Sequence, residues 1–199
     1  MSIINLIGLP FRYKIWTPLH IKLMVNDLIA PNQLVHDHKI HLTATINWLC
    51  RAQDVRNDRL DSGGVSAGWS FEDGWLPSYP ETSGYIVETF VEAARILEKP
   101  ELIFRAEKIL DWELSIQNHD GSFPGHFGEK GSSPVIFNTG QIMHGLNCGF
   151  ERLNRSECLE SAVNAVNGWL LNKMKMVVGD EVLIIILFIR IIHVPHGLY

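Results

Sequence analysis

The chain has no excess of positive charge: 17 lysines and arginines stand against 22 acidic residues, a formal charge of −5 over 199 residues. A protein that neutralises phosphates along a nucleic acid needs a clustered basic surplus, so nucleic acid is not an expected partner. Cysteine is scarce too. Cys50, Cys148 and Cys158 are an odd number, set inside apolar helical patterns and not at the close spacings of a zinc site. They read as buried free thiols of a reducing compartment, which makes the cytoplasm the expected location. The stretch Met1 to Trp16 has no charged region ahead of an apolar run and no small-residue cleavage site, so it does not read as a signal peptide. The apolar run Val182 to Ile192 is eleven residues long and includes Arg190. A membrane-crossing helix needs roughly 20 residues, so no membrane span is expected.

What the chain does contain is a repeat. Trp48 and Gln53 recur as Trp112 and Gln117, 64 residues on, and a weaker copy begins at Trp169. In a second register, Glu81-Thr82-Ser83-Gly84-Tyr85 is answered by Asn138-Thr139-Gly140-Gln141, with the threonines 57 residues apart. Two interleaved repeats of similar period imply one unit of roughly sixty residues. Between these anchors the apolar spacing is helical. Ile86, Phe90, Ala93, Ala94 and Leu97 form one stripe, and Ile103, Ala106, Leu110 and Leu114 form the next after Pro100. Ile142, Leu146, Phe150 and Leu153 follow, then Leu159, Val163, Val166 and Leu170 after a cap at Ser156. Thr17-Pro18 opens an earlier helix to about Leu28, and another runs from about Leu34 to Gln53. Six helices in three antiparallel pairs result.

Connections alternate in length. Lys99-Pro100 and Asn154-Arg155 are tight, whereas the stretches from Asp54 to Pro80 and from Asn118 to Phe137 are long and rich in glycine, proline and aromatics. If successive helices run antiparallel, both long loops lie at one end of the stack, together with the N-termini of the helices that follow them. The expected class is therefore all-α, in one domain over residues 1–175, with residues 176–199 an atypical apolar tail.

The segment Gln117-Asn118-His119-Asp120-Gly121-Ser122-Phe123 after Trp112 has the Gln-x-x-Asp-Gly-Ser-aromatic form that closes hairpins in α/α toroids. With Gly63-Gly64-Val65-Ser66-Ala67-Gly68-Trp69, Ser78 to Tyr85 and Phe137 to Gln141, it resembles the six-hairpin glycosidase-like proteins encoded among bacterial polysaccharide genes. The resemblance spans about Ile46 to Leu171. It implies a partial α/α toroid, an incomplete (α/α)6 barrel, acting on or binding an oligosaccharide or polysaccharide, of the glycoside hydrolase, polysaccharide lyase or uronate epimerase kind. Two departures stand out. A closed toroid needs about twice as many hairpins, and after Trp169 the expected glutamine is Met174 with no Asp-Gly-aromatic closure behind it.

A rim of aromatics, amides and carboxylates suits a sugar polymer, because aromatic faces stack on sugar rings while amides and acids take up hydroxyls. Trp69, Trp75, Tyr79 and Tyr85 are the candidate platforms. Glycoside cleavage needs two carboxyl groups about 5 to 10 Å apart, and Glu72, Asp73, Glu81, Asp120 and Glu129 form the pool. Glu81 leads, since it lies where a long loop enters a helix, opposite Asn138 in the repeat; the alternative is that Glu81 and Asn138 only cap their helices. Helix N-termini favour anions, so an acidic glycan is the better match. Elimination or epimerisation on a uronate would need a base, His126 or Tyr79, beside Asn138 or Gln141 to neutralise the carboxylate.

Gln117 and Asp120 read as structural, tying down the following loop. His36, His38 and His41 crowd together, but on a helix His38 and His41 share a face that His36 does not, so no metal is expected. No cofactor is expected either. Two rivals remain open. A terpenoid cyclase or prenyltransferase would need an Asp-rich run, which Asp54 to Asp58 imitates weakly; a non-catalytic toroid would bind a glycan or protein on the same rim.

The Val182 to Ile192 run combines β-propensity, hydrophobicity and a single charge, and half a toroid leaves an open apolar side through which the chain can self-associate. Removing everything after Lys175 is expected to improve solubility while helicity, read by circular dichroism, persists. A monodisperse full-length monomer that unfolds on this truncation would contradict that expectation.

Overall fold

A computed structural model describes residues 3–29, 37–128 and 132–173. Helix α1 (Ile3–Arg12) is followed by α2 (Pro18–Ile29), α3 (His38–Asp54), a ribbon of β1 (Trp69–Ser70) and β2 (Gly74–Trp75), α4 (Pro80–Leu97), α5 (Glu101–Ile116), α6 (Ile136–Leu153) and α7 (Ser156–Lys173). The described chain is all-α, as expected; its only sheet is that two-stranded antiparallel ribbon, which is too small to supply a core. The apolar tail and the 175/176 boundary lie outside the described residues.

Helix α4 starts on Pro80, where a missing N–H costs nothing because the first turn has no internal acceptor for it. It ends at Glu98 and α6 ends at Asn154, both in the left-handed region with φ of 55° and 56°. The next amide closes each helix: Lys99 N–H donates to the Ala94 carbonyl at 2.9 Å and Arg155 N–H to that of Gly149 at 3.1 Å. The predicted stripe of α4 is the core. Ile86, Val87, Phe90, Ala93 and Ala94 are buried against Leu102, Ala106, Ile109 and Leu110 of α5 and Ile142, Met143 and Leu146 of α6. Each large side chain so removed from water contributes about 1.5–3 kcal/mol.

Helices α4 and α6 run parallel and very close. A Cβ on Gly84 would come within 2.6 Å of Ile142 Cα, and one on Gly145 would strike the Gly84 carbonyl. Further along the same pair, Arg152 is bonded to Glu92. Both helices thus begin at the end that holds the long loops, where Tyr79 of the first loop meets Phe127 of the second.

The repeat is real in three dimensions, and its period is 56. Helix α6 begins 56 residues after α4 and ends 56 residues after it. Asn138 therefore corresponds to Thr82, and the sequence pairing of Asn138 with Glu81 is one residue out of register. Neither caps in the ordinary sense: the N-cap residues are Tyr79 and Val135, and neither makes a side-chain cap bond.

A glutamine bracket joins each loop to the next hairpin. Gln117 Nε2 donates to the carbonyls of Gly121 and Ser161, both at 2.9 Å, and Gln117 Oε1 accepts from Ser161 Oγ at 2.9 Å. Gln53 does the same one unit earlier, donating to the Gly63 and Arg105 carbonyls at 2.9 and 3.0 Å and accepting from Arg105 Nη1 at 3.0 Å. Gly63 and Gly121 have φ of 102° and 86°. Added Cβ atoms there would collide with the carbonyls of Lys108 and Asn164, so conformation and space both demand glycine.

Two expectations need correction. The α4–α5 and α6–α7 hairpins form, but α2 and α3 do not make a comparably packed pair among the described residues; α3 packs on α4. Instead α2 meets the ribbon, His20 lying edge-on to Trp69 and Phe71 at centroid distances of 5.4 and 4.8 Å. Helix α1 was not foreseen, because Gly8 and Pro10 argue against a helix that nonetheless contains them.

Glu113 on α5 is fully buried, and neither carboxyl oxygen has a hydrogen-bond partner. Burial pushes its carboxyl well above the ordinary value of 4.5, which favours the neutral acid in the folded chain.

Two outcomes follow. Gln117→Ala leaves the carbonyls of Gly121 and Ser161 without their shared donor and is expected to cost about 1–3 kcal/mol in a denaturant melt. Full stability with lost ligand binding would reverse that structural assignment. For Glu113 the folded pKa is raised, so above pH 4.5 the unfolded chain releases a proton that the folded chain keeps. Its contribution is therefore greatest at low pH and declines as pH rises toward the folded value. Glu113→Gln is expected to lose less stability than the wild type over that rise, and an unchanged pH profile would show that Glu113 is not held protonated.

Candidate functional site at the loop end

Each long loop is clipped by one antiparallel bridge, Ser66 to Ser78 in the first and Pro124 to Pro134 in the second. Those clips hold the segments that carry the predicted rim. Tyr79 packs edge-on to Phe127, with centroids 5.8 Å apart, and Trp75 meets Trp48 of α3 at 5.6 Å. Trp69 and Phe71 form a separate cluster with His20. His20 Nδ1 lies 2.9 and 3.0 Å from the carbonyls of Tyr13 and Lys14, so this nitrogen carries the proton. Nothing in the sequence singled out His20, whose role depends on loops that meet only in the fold.

Glu81 is half-buried in the first turn of α4 and Tyr85 follows one turn later, exposed. Burial, then the charges of Glu81 and Tyr79, push the Tyr85 phenol up, so these three groups belong to one neighbourhood. Asn138 is 3% exposed, and its Nδ2 has no partner. Gln141 is half-buried on α6, its carbonyl against Gly84. Asp73 is in the ribbon turn, where its N–H donates to Ser70 Oγ at 2.9 Å. His126 is exposed in a left-handed turn, φ 50°, beside Phe127. Glu129 lies outside the described residues.

The carboxylate pool is partly spent on structure. Glu72 accepts from Arg12 at 2.8 Å, and Asp120 Oδ1 closes its own turn onto the N–H and hydroxyl of Ser122. Asp54 is tied to Arg105 at 2.8 and 3.0 Å, and that bond leads in holding its carboxyl below the usual range, so the Asp54 to Asp58 run is not a free metal-binding pair. Among the described residues no cluster of three histidine, cysteine or acidic groups could hold a metal, and no helix is long and apolar enough to cross a membrane. All three cysteines are free, and burial pushes the Cys148 and Cys158 thiols up to about 11.

Beside the rim is a cavity of about 930 Å³ lined by Arg56, Asp58, Arg59, Leu60, Asp61, Pro77, Trp112, Ile116, Phe127 and Gly128. Sequence reasoning missed it, although a signal was present. Gln53 and Gly63 are ten positions apart whereas Gln117 and Gly121 are four apart, so the first loop carries six extra residues that supply one wall. That insertion is fixed in place. Arg56 grips Asp61 with two bonds, 3.0 and 2.8 Å, and Ser78 donates to Asp61 through both its N–H and its hydroxyl. Burial works against the Asp61 carboxylate, yet Arg56 and Ser78 hold it below its usual range. A smaller pocket of about 320 Å³ lies between residues 117–121 and α7.

Compared with family models, curated proteins and solved structures, the chain finds no match.

Proposed function

We propose that the chain is a partial α/α toroid that binds an oligosaccharide across its loop end. The observation that carries this reading is the gathering of aromatic side chains from both long loops at the end where α4 and α6 begin: Trp75, Tyr79 and Phe127 are in ring contact with neighbours, and Tyr85 is exposed one turn away. Rings held in place by other rings make stacking platforms whose ordering cost is already met in the fold. Half-buried Glu81 and Gln141 supply hydrogen-bonding groups beside them.

Binding is favoured over glycoside cleavage, because Glu72 and Asp120, two of the candidate carboxylates, are occupied in holding loops. The test is to incubate the chain with neutral and acidic oligosaccharides, following binding by ligand-observed NMR and products by mass. Saturable binding, lost on Trp75→Ala or Tyr85→Ala and without a new product mass, is expected. Product formation abolished by Glu81→Gln would make the site catalytic instead, and no binding to any glycan would refute the reading.

A further inference from the structure

The two structural units differ most where the first carries its six-residue insertion, and that insertion brings both signs of charge to the cavity in equal number. Arg56 is neutralised by Asp61. Arg59 and Asp58, its neighbour in the chain, are exposed, both line the cavity, and neither makes a side-chain hydrogen bond or ion pair among the described residues. Much of the remaining lining is apolar, Leu60, Pro77, Trp112, Ile116 and Phe127, the last 37% exposed and held edge-on by Tyr79.

We infer that this cavity is a subsite for an uncharged sugar ring, in which Asp58 and Arg59 read adjacent hydroxyls while Phe127 supports the ring; the inference rests on the glycan-binding function proposed above. A carboxylate only accepts hydrogen bonds and a guanidinium only donates them, whereas a hydroxyl does both, so a vicinal diol satisfies the pair together. An acidic sugar is matched less well. Its carboxylate would gain Arg59 but meet Asp58 on the same loop, in a chain whose formal charge is already −5. At about 930 Å³ the cavity falls within the range of about 300–1,000 Å³ common for small-molecule sites. The wall is pre-formed, because Ser78 anchors Asp61 and Asp61 anchors Arg56.

The experiment measures binding of maltotriose, cellotriose, galactotriose and trigalacturonate to the full chain by calorimetry. At least one neutral trisaccharide is expected to bind about tenfold more tightly than trigalacturonate, and Asp58→Asn and Arg59→Gln are each expected to weaken it by about tenfold. Both side chains are exposed and otherwise unbonded, so the melting temperature is expected to stay unchanged. Tighter binding of trigalacturonate, or neutral binding indifferent to both substitutions, would overturn this subsite while leaving glycan binding at the rim intact. Failure of all four sugars to bind would overturn both.

Discussion

The glutamine bracket is the constraint on which the rest of the molecule depends. A loop of the length between α3 and α4, or between α5 and α6, has many unpaired backbone groups and no helical ladder to absorb them. One amide at the end of the preceding helix takes up a loop carbonyl and a carbonyl of the next outer helix together, so loop and hairpin are located by the same side chain. The bracket works only if the loop turns sharply back, which the left-handed glycines Gly63 and Gly121 permit. With the loops fixed at one end, the parallel approach of α4 and α6 over Gly84 and Gly145 sets the spacing of the helix starts that underlie the rim.

Once the loops are anchored this way, their middles are free to differ. The second unit connects glutamine to glycine through three residues, Asn118, His119 and Asp120. The first interposes Arg56, Asp58, Arg59, Leu60 and Asp61, then spends one ion pair and two bonds to Ser78 on keeping that excursion rigid. The proposed sugar contacts of Asp58 and Arg59 thus fall in an insertion between anchors that both units share, while the platform aromatics Tyr79 and Tyr85 have Val135 and Gln141 as their counterparts in the second unit. This division matches the general placement of binding groups on loops carried by a stiff scaffold.

The helices were legible in the sequence because α4 and α5 bury one stripe each, and the stripe has the helical period. Their register was not. Trp48 to Trp112 counts 64 residues and Thr82 to Thr139 counts 57, yet the helices repeat at 56. The first number includes the insertion, and the second aligns Thr139 with Thr82 when its structural counterpart is Ser83. Glu81 and Asn138 were drawn together by that slip. The place of Gln117 and Asp120 before a glycine turn points to a structural role, and each makes bonds of that kind. His20 and the cavity were invisible for a different reason: each is built from segments far apart in the chain, and only the path of the loops brings them together.

Whether a sugar sits at the loop end is tested most directly by mapping backbone amide shifts in the full chain during titration with a neutral trisaccharide. Perturbations are predicted to concentrate at residues 56–61, 75–85 and 125–128. Shifts centred on the polar pocket between residues 117–121 and α7, or on the exposed apolar face of α2, would contradict it.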